Sequence, residues 1–204
     1  MKKYLIPSFS LAFLLAGCAS APQYVGVPST QNTKNISMGI DHADFQRAAT
    51  DAIESMLRSG ALNKRGGGRY VLAISTVIND TMQRIDIDQL IKKIRIALLQ
   101  SGKVVVTTAV RAGGAEDTMS YDARELRGNS EFNQKTVAKK GQLIAPDLSL
   151  SGKIIQRNSS VDGGDKQRVD YYFQLTVTDI SSGLAFWEGE SVIGKVGSNS
   201  SSSW

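Results

Sequence analysis

Val169-Asp170-Tyr171-Tyr172-Phe173-Gln174-Leu175-Thr176-Val177-Thr178 is the stretch on which the fold turns. Val169, Tyr171, Phe173, Leu175 and Val177 alternate with Tyr172, Gln174, Thr176 and Thr178. Successive side chains of a strand point to opposite faces, so this run has one apolar face and one polar face. A sheet with one apolar face must bury it, and helices lying on that face are the expected cover.

The neighbouring sequence extends the pattern in both directions. Asp179 to Gly183 reads as a hairpin loop, and Leu184 to Gly194 returns as a further strand. Upstream, Gly163-Gly164 turns the chain. Before that turn Leu148, Leu150 and Ile154 share one face of a strand, with Gly152 between them. These three strands predict an antiparallel meander.

Ahead of Pro146 helices and strands alternate. Phe45, Ala48, Ala49, Ala52, Ile53, Met56 and Leu57 recur at helical spacing, with Asp41 or Asp44 as cap and Gly60 as stop. Gly66-Gly67-Gly68 is a break. Tyr70 to Ile78 is a near-continuous apolar run and predicts a buried strand. A second helix is expected from about Asp86 to Ser101. Its stripe is Ile87, Leu90, Ile91, Ile94 and Leu98, with Lys92, Lys93 and Arg95 away from the stripe's centre. Gly102 ends it, and Lys103 to Val110 is the next strand. A polar stretch, Arg111 to Ser120, leads to a short helical piece around Asp122 to Arg127. Ser130 then caps an expected helix from Glu131 to Lys140, closed by Gly141. The order is α-β-α-β-α-β-β-β. It predicts a single α/β domain with a mixed, mostly antiparallel sheet of about five strands and three to four helices.

The N-terminus carries a different message. Lys2 and Lys3 precede a mostly apolar run, Tyr4 to Leu15. That run is too short to span a bilayer, which takes about 20 apolar residues. It suits the apolar region of a secretory signal. It ends in Leu15-Ala16-Gly17-Cys18, which resembles the lipobox of bacterial lipoproteins, and Cys18 is the chain's one cysteine. Its thiol is expected to take a diacylglycerol before cleavage and to become a lipidated N-terminus, with palmitate among the acyl chains. Several acyl chains anchor far more firmly than one. A lipidated thiol forms no disulfide, so the domain must be held by its core alone. Ala19 follows where an aspartate would mark inner-membrane retention, and this points to the outer membrane, facing the periplasm. The expected organisation is a signal peptide at 1–17, lipidated cysteine and tether at 18–35, a globular domain at 36–197 and a Ser-rich tail at 198–204. The polar character of the tether runs on to about Ile40. From Ala19 to there it reaches at most about 75 Å fully extended.

Composition narrows the function. Apolar residues make up 41% of the 204, enough for a real core. The formal charge is +5. Without Lys2 and Lys3 it falls to about +3, a mild excess that does not imply nucleic acid. No catalytic constellation stands out. His42 is the one histidine, has no cysteine partner in the domain, and makes neither a zinc site nor a triad. Ser101-Gly102-Lys103 and Ser151-Gly152-Lys153 lack both the upstream glycine and the following Ser or Thr of a phosphate loop. Asp86 and Asp88 flank a helix start, where caps are expected. Glu188 and Glu190 share one face of a late strand, not two sides of a cleft. The expectation is a binding protein without catalytic residues, metal or cofactor.

Several stretches together resemble the LpoB family of penicillin-binding-protein activators. They are Asp88 to Val106, with Arg95-Ile96-Ala97-Leu98 and Gly102-Lys103, and Asp122 to Gly141, with Glu125-Leu126 and Phe132-Asn133. Further stretches are Ala145-Pro146-Asp147-Leu148 leading to Leu150-Ser151-Gly152-Lys153, and the hairpin with Gln174-Leu175, Gly183 and Trp187-Glu188-Gly189. The resemblance covers nearly all of residues 36 to 196, and its order and spacing carry it more than any one motif. It implies an outer-membrane lipoprotein with a small α/β domain. It also implies a class A penicillin-binding protein as partner, and a role in peptidoglycan synthesis and cell shape. The tether departs from the long proline-rich tether of the best-known members, since it holds only Pro22 and Pro28. A structural part in another envelope assembly, secretion or flagellar, is the alternative expectation. A hydrolase of envelope polymers would need an acidic cleft that the sequence does not display.

Binding residues concentrate on loops held by a rigid scaffold, and Arg and Tyr are enriched where interfaces carry their energy. Two loops therefore stand out, Asn79 to Arg84 and Tyr121 to Arg127. The expected contact residues are Asn79, Arg84, Tyr121, Arg124 and Arg127.

Overall fold

In the computed structural model of the protein, residues 37–198 and residue 200 are described. The expected signal, the lipobox Leu15-Ala16-Gly17, Cys18 and the tether at 18–35 lie outside the described residues, as does most of the Ser-rich tail. The elements are α1 (His42–Arg58), β1 (Tyr70–Asp80), α2 (Ile87–Gln100), β2 (Val104–Arg111), α3 (Met119–Glu125), β3 (Leu148–Val161), β4 (Lys166–Asp179) and β5 (Ala185–Ser198). One sheet holds all five strands in the order β2-β1-β3-β4-β5. β3, β4 and β5 form the expected antiparallel meander. β1 runs parallel to both of its neighbours, which makes the sheet mixed.

Alternation along β4 builds the core. Val169, Tyr171, Phe173, Leu175 and Val177 are all buried. They meet Leu72, Val104, Leu148, Leu150, Ile154 and Ile193 from the other strands, and Phe45, Ala49, Met56, Leu90, Ile94 and Leu98 from the helices. α1 packs on α2 and β5, and α2 packs on β2. The rings of Phe45 and Phe173 meet edge to face with centroids 6.4 Å apart. Burying each of these larger apolar side chains contributes about 1.5–3 kcal/mol.

Three polar arrangements fix how the elements join. At the start of α1 both candidate caps act together. Asp41 accepts from the Ala43 and Asp44 amides, and Asp44 accepts from the Asp41 amide, a capping box. The Lys195 ammonium of β5 then reaches the buried Asp44 carboxylate at 2.5 Å and clamps the helix start to the last strand. Asp147 accepts from the Val71 amide at 2.8 Å and from the Lys64 ammonium at 2.9 Å, which ties the start of β3 to that of β1. Those donors, the Val71 amide first, hold its carboxyl below the usual carboxylate range. The Tyr171 hydroxyl donates to the Met38 carbonyl at 3.0 Å and accepts from the Gln83 side-chain amide. Burial pushes this phenol up to about 12.

Two glycines mark close approaches. A Cβ at Gly152 would lie 2.4 Å from the Gln174 carbonyl oxygen. At Gly189 it would lie 2.3 Å from the Trp187 ring, which lies across that position.

The structure departs from the sequence expectations in four places. β1 is not buried throughout: only Leu72 and Ala73 are buried, and Ile78 is exposed, because β2 pairs with β1 only as far as Ile74. There is no helix from Glu131 to Lys140; the segment is a run of turns. Asn129 and Asn133 accept from the Glu131 and Lys135 amides, and Gln134 donates to the carbonyls of Leu126, Asn129 and Phe132. Such local bonds compete with helix formation, and no residue of the segment is buried to favour a helix. Arg95 is not peripheral: it is 9% exposed and its guanidinium holds the Glu116 carboxylate. The tether's polar character does not extend to Ile40 in structural terms, because Met38 is buried and Ile40 packs against the core.

Candidate functional site

Three of the expected contact residues meet in one groove. Tyr121, Arg124 and Arg127 line it together with Glu125, Lys140, Gly141 and Leu143, around a volume of about 480 Å³. The local sequence explains how. Beyond β2, a turn returns the Gly114 carbonyl to the Arg111 amide at 3.0 Å, and the Glu116 and Asp117 amides reach back to the Thr108 carbonyl. That fixes the start of α3 beside β2. The Tyr121 hydroxyl then donates to the Ala109 carbonyl at 3.1 Å, and the Arg124 guanidinium donates to the Ser120 carbonyl. Arg127 donates from Nε to the Ala138 carbonyl at 2.7 Å, which brings Lys140 and Leu143 up to α3. Arg124, Arg127 and Lys140 face one acid, Glu125, so the groove is cationic with an apolar edge at Tyr121 and Leu143.

Asn79 and Arg84 lie elsewhere. Asn79 closes its own loop, donating to the Gln83 carbonyl at 2.7 Å and accepting from the Thr81 amide at 3.1 Å. The loop is fastened beneath by Gln83, which accepts from the Ile40 amide and donates to Tyr171. Arg84 is exposed and makes no ion pair among the described residues. Next to this loop, the Lys153 ammonium binds the Asp80 carboxylate at 2.6 Å and holds that carboxyl below its usual range. Sequence reasoning missed Lys140 and Leu143, which it placed at a helix end and beyond. The adjacent pair Lys139-Lys140 before Gly141 was the available signal.

The other motifs are structural. His42 is the exposed first residue of α1, with Nε2 3.0 Å from the Lys93 ammonium. Asp86 caps α2. Glu188 and Glu190 are exposed and take hydrogen bonds from Thr176 and Gln174. Among the described residues no group of His, Cys, Asp or Glu could hold a metal ion, and no helix is long and apolar enough to cross a membrane.

The family model of the peptidoglycan-synthase activator LpoB matches residues 44–193, most of the chain. The chain belongs to the LpoB family. The match runs from the first turn of α1 to Ile193 in β5, so it takes in β1 to β4, most of β5 and the groove. Solved structures of the LpoB C-terminal domain from Salmonella enterica and from Escherichia coli are each 14% identical to this chain. Each match covers 74% of this chain and 98% of that domain, at a TM-score of 0.42. A lipoprotein from Neisseria meningitidis is 15% identical, with 64% and 88% covered and a TM-score of 0.34. No curated protein sequence matches significantly. As an LpoB-family member the chain has the general role of a peptidoglycan-synthase activator.

Proposed function

We propose that this chain is an outer-membrane lipoprotein, anchored through Cys18, that binds a class A penicillin-binding protein and raises its glycan-polymerising rate. Family membership carries the reading. An activator works by binding the active conformation of its synthase better than the inactive one. A tenfold shift between those conformations takes about 1.4 kcal/mol of differential binding, which a few contacts supply. The contact surface is the cationic groove of Tyr121, Arg124 and Arg127. Its position beside the β2 edge holds these side chains on a rigid frame. Asn79 and Arg84 form a separate, second patch, with Arg84 as the group available to a partner.

The short tether favours one other reading, a structural part in a secretion or flagellar assembly nearer the outer membrane. Photo-crosslinking in intact cells separates the two. A photoreactive residue at Glu125, inside the groove, is expected to capture a class A synthase. Recovery of secretion or flagellar components alone would refute the synthase reading and favour the structural one.

A further inference from the structure

The sheet splits where β1 and β2 part. Their ladder runs in register from Tyr70↔Val104 to Leu72↔Val106 and then jumps to Ile74↔Arg111, where it ends. On its other side β1 continues paired with β3, from Val77↔Gly152 to Asp80↔Ile155. Four residues, Val77 to Asp80, therefore have a strand partner on one side only among the described residues, over about 13 Å of strand, and Ser75 and Thr76 before them sit at the break in both ladders. Beside that open edge lies a groove of about 380 Å³ between β1, the first half of α2 and the chain after β2. Its apolar lining is Ile74, Val77, Ile87 and Ile91. Arg95 and Glu116 neutralise one another within it. Lys92 and Arg111 also line it, and neither makes an ion pair among the described residues. Asp88 is the remaining acid.

We infer that this groove is an acceptor for an extended segment of a partner protein, which adds to the β1 edge as a strand in the line that β2 abandons. Main-chain hydrogen bonds to Val77–Asp80 give such a strand its affinity, and pockets for alternate side chains give specificity. Apolar side chains of the segment fill the space over Val77 and Ile91. Charge selects the rest: Lys92 and Arg111 take a carboxylate, so the occupant is an apolar segment with Asp or Glu at one end. The residues of this chain's own tether, 18–35, hold Lys34 and no acid, and do not meet that requirement.

The test uses the full-length chain in detergent micelles and blocked heptapeptides. The first is Thr-Val-Thr-Val-Thr-Val-Asp, the second has lysine in place of the aspartate, and the third is the first with alternate backbone amides N-methylated. The acidic peptide is expected to bind and to slow amide exchange of Val77 to Asp80 at least tenfold. The lysine peptide is expected to bind at least tenfold more weakly, and the N-methylated one not at all. Arg111→Glu is expected to weaken the acidic peptide at least tenfold and to narrow its advantage over the lysine peptide. Absence of binding by the acidic peptide at millimolar concentration would overturn the inference. So would equal binding of the N-methylated peptide, or protection that appears along β5 instead of β1.

Discussion

At Gly152 the main chain of β4 comes within van der Waals contact of β3, and a Cβ there would sit 2.4 Å from a carbonyl oxygen and 2.6 Å from Leu175 Cδ2. Neither can withdraw without moving the meander. Gly152→Ala is expected to destabilise the protein by about 1–3 kcal/mol. Gly66 has open space around it and a φ of +84°, so Gly66→Ala carries only the backbone penalty, about 1 kcal/mol. Urea denaturation of the two variants measures the difference, and equal losses would remove the close-approach argument. Asp147 supplies a pH dependence. Its folded carboxyl lies below its ordinary value because the Val71 amide and the Lys64 ammonium bind the charged form. The stabilisation is present above the unfolded value, near pH 3.9, and is lost as pH falls through the folded value. The wild-type protein should exceed Asp147→Asn in stability by a constant margin from about pH 7 to 5, a margin that shrinks below about pH 4. A margin that grows on acidification would contradict the assignment.

The elements show how far the sequence could be read. β4 alternates strictly from Val169 to Thr178 and has one buried face, so its position followed directly from the sequence. The hairpin loop Asp179 to Gly183 placed β5 beside it, although β5 buries the polar Ser191 and Lys195 and exposes Val192 and Val196. α1 and α2 were equally legible, because Phe45 to Leu57 and Ile87 to Leu98 place apolar residues on one stripe. The segment from Glu131 to Lys140 was not, since Asn129, Asn133 and Gln134 satisfy its backbone locally and nothing in it is buried. Arg95 looked peripheral on a helical wheel, but Glu116, 21 residues away, neutralises it and lets it be buried. The split of β1 from β2 also left no mark in sequence, because Val104 to Val110 reads as one continuous strand. Of the five expected contact residues, Tyr121, Arg124 and Arg127 share a groove, whereas Asn79 mainly closes its own loop and Arg84 lies beside it. β5 gives the element-scale prediction. Truncation at Gly183 removes buried Trp187, Ile193 and Lys195, exposes one edge of β4 and the part of α1 that packs on β5, and takes the ion-pair partner from Asp44. The truncated chain is expected to lose cooperative unfolding, and a sharp two-state transition in it would contradict the packing described.

At the scale of the whole molecule the proposal joins the domain to a lipid anchor at Cys18, an expectation read from Leu15 to Cys18. Cys18→Ala is expected to abolish incorporation of labelled fatty acid and to shift the protein out of the outer-membrane fraction. Continued labelling and flotation with outer membranes would refute the anchor. In the proposed reading the fold holds a cationic groove and an open strand edge at the side of the sheet where β2 ends, for a partner to engage. The measurement that bears most directly on the proposed activity is glycan polymerisation by a purified class A penicillin-binding protein, supplied with lipid-linked precursor and saturating amounts of this chain. The expected result is a rate several-fold above that of the synthase alone, reduced by Arg124→Glu combined with Lys140→Glu at unchanged melting temperature. An unchanged rate with every class A synthase of the same cell would contradict it.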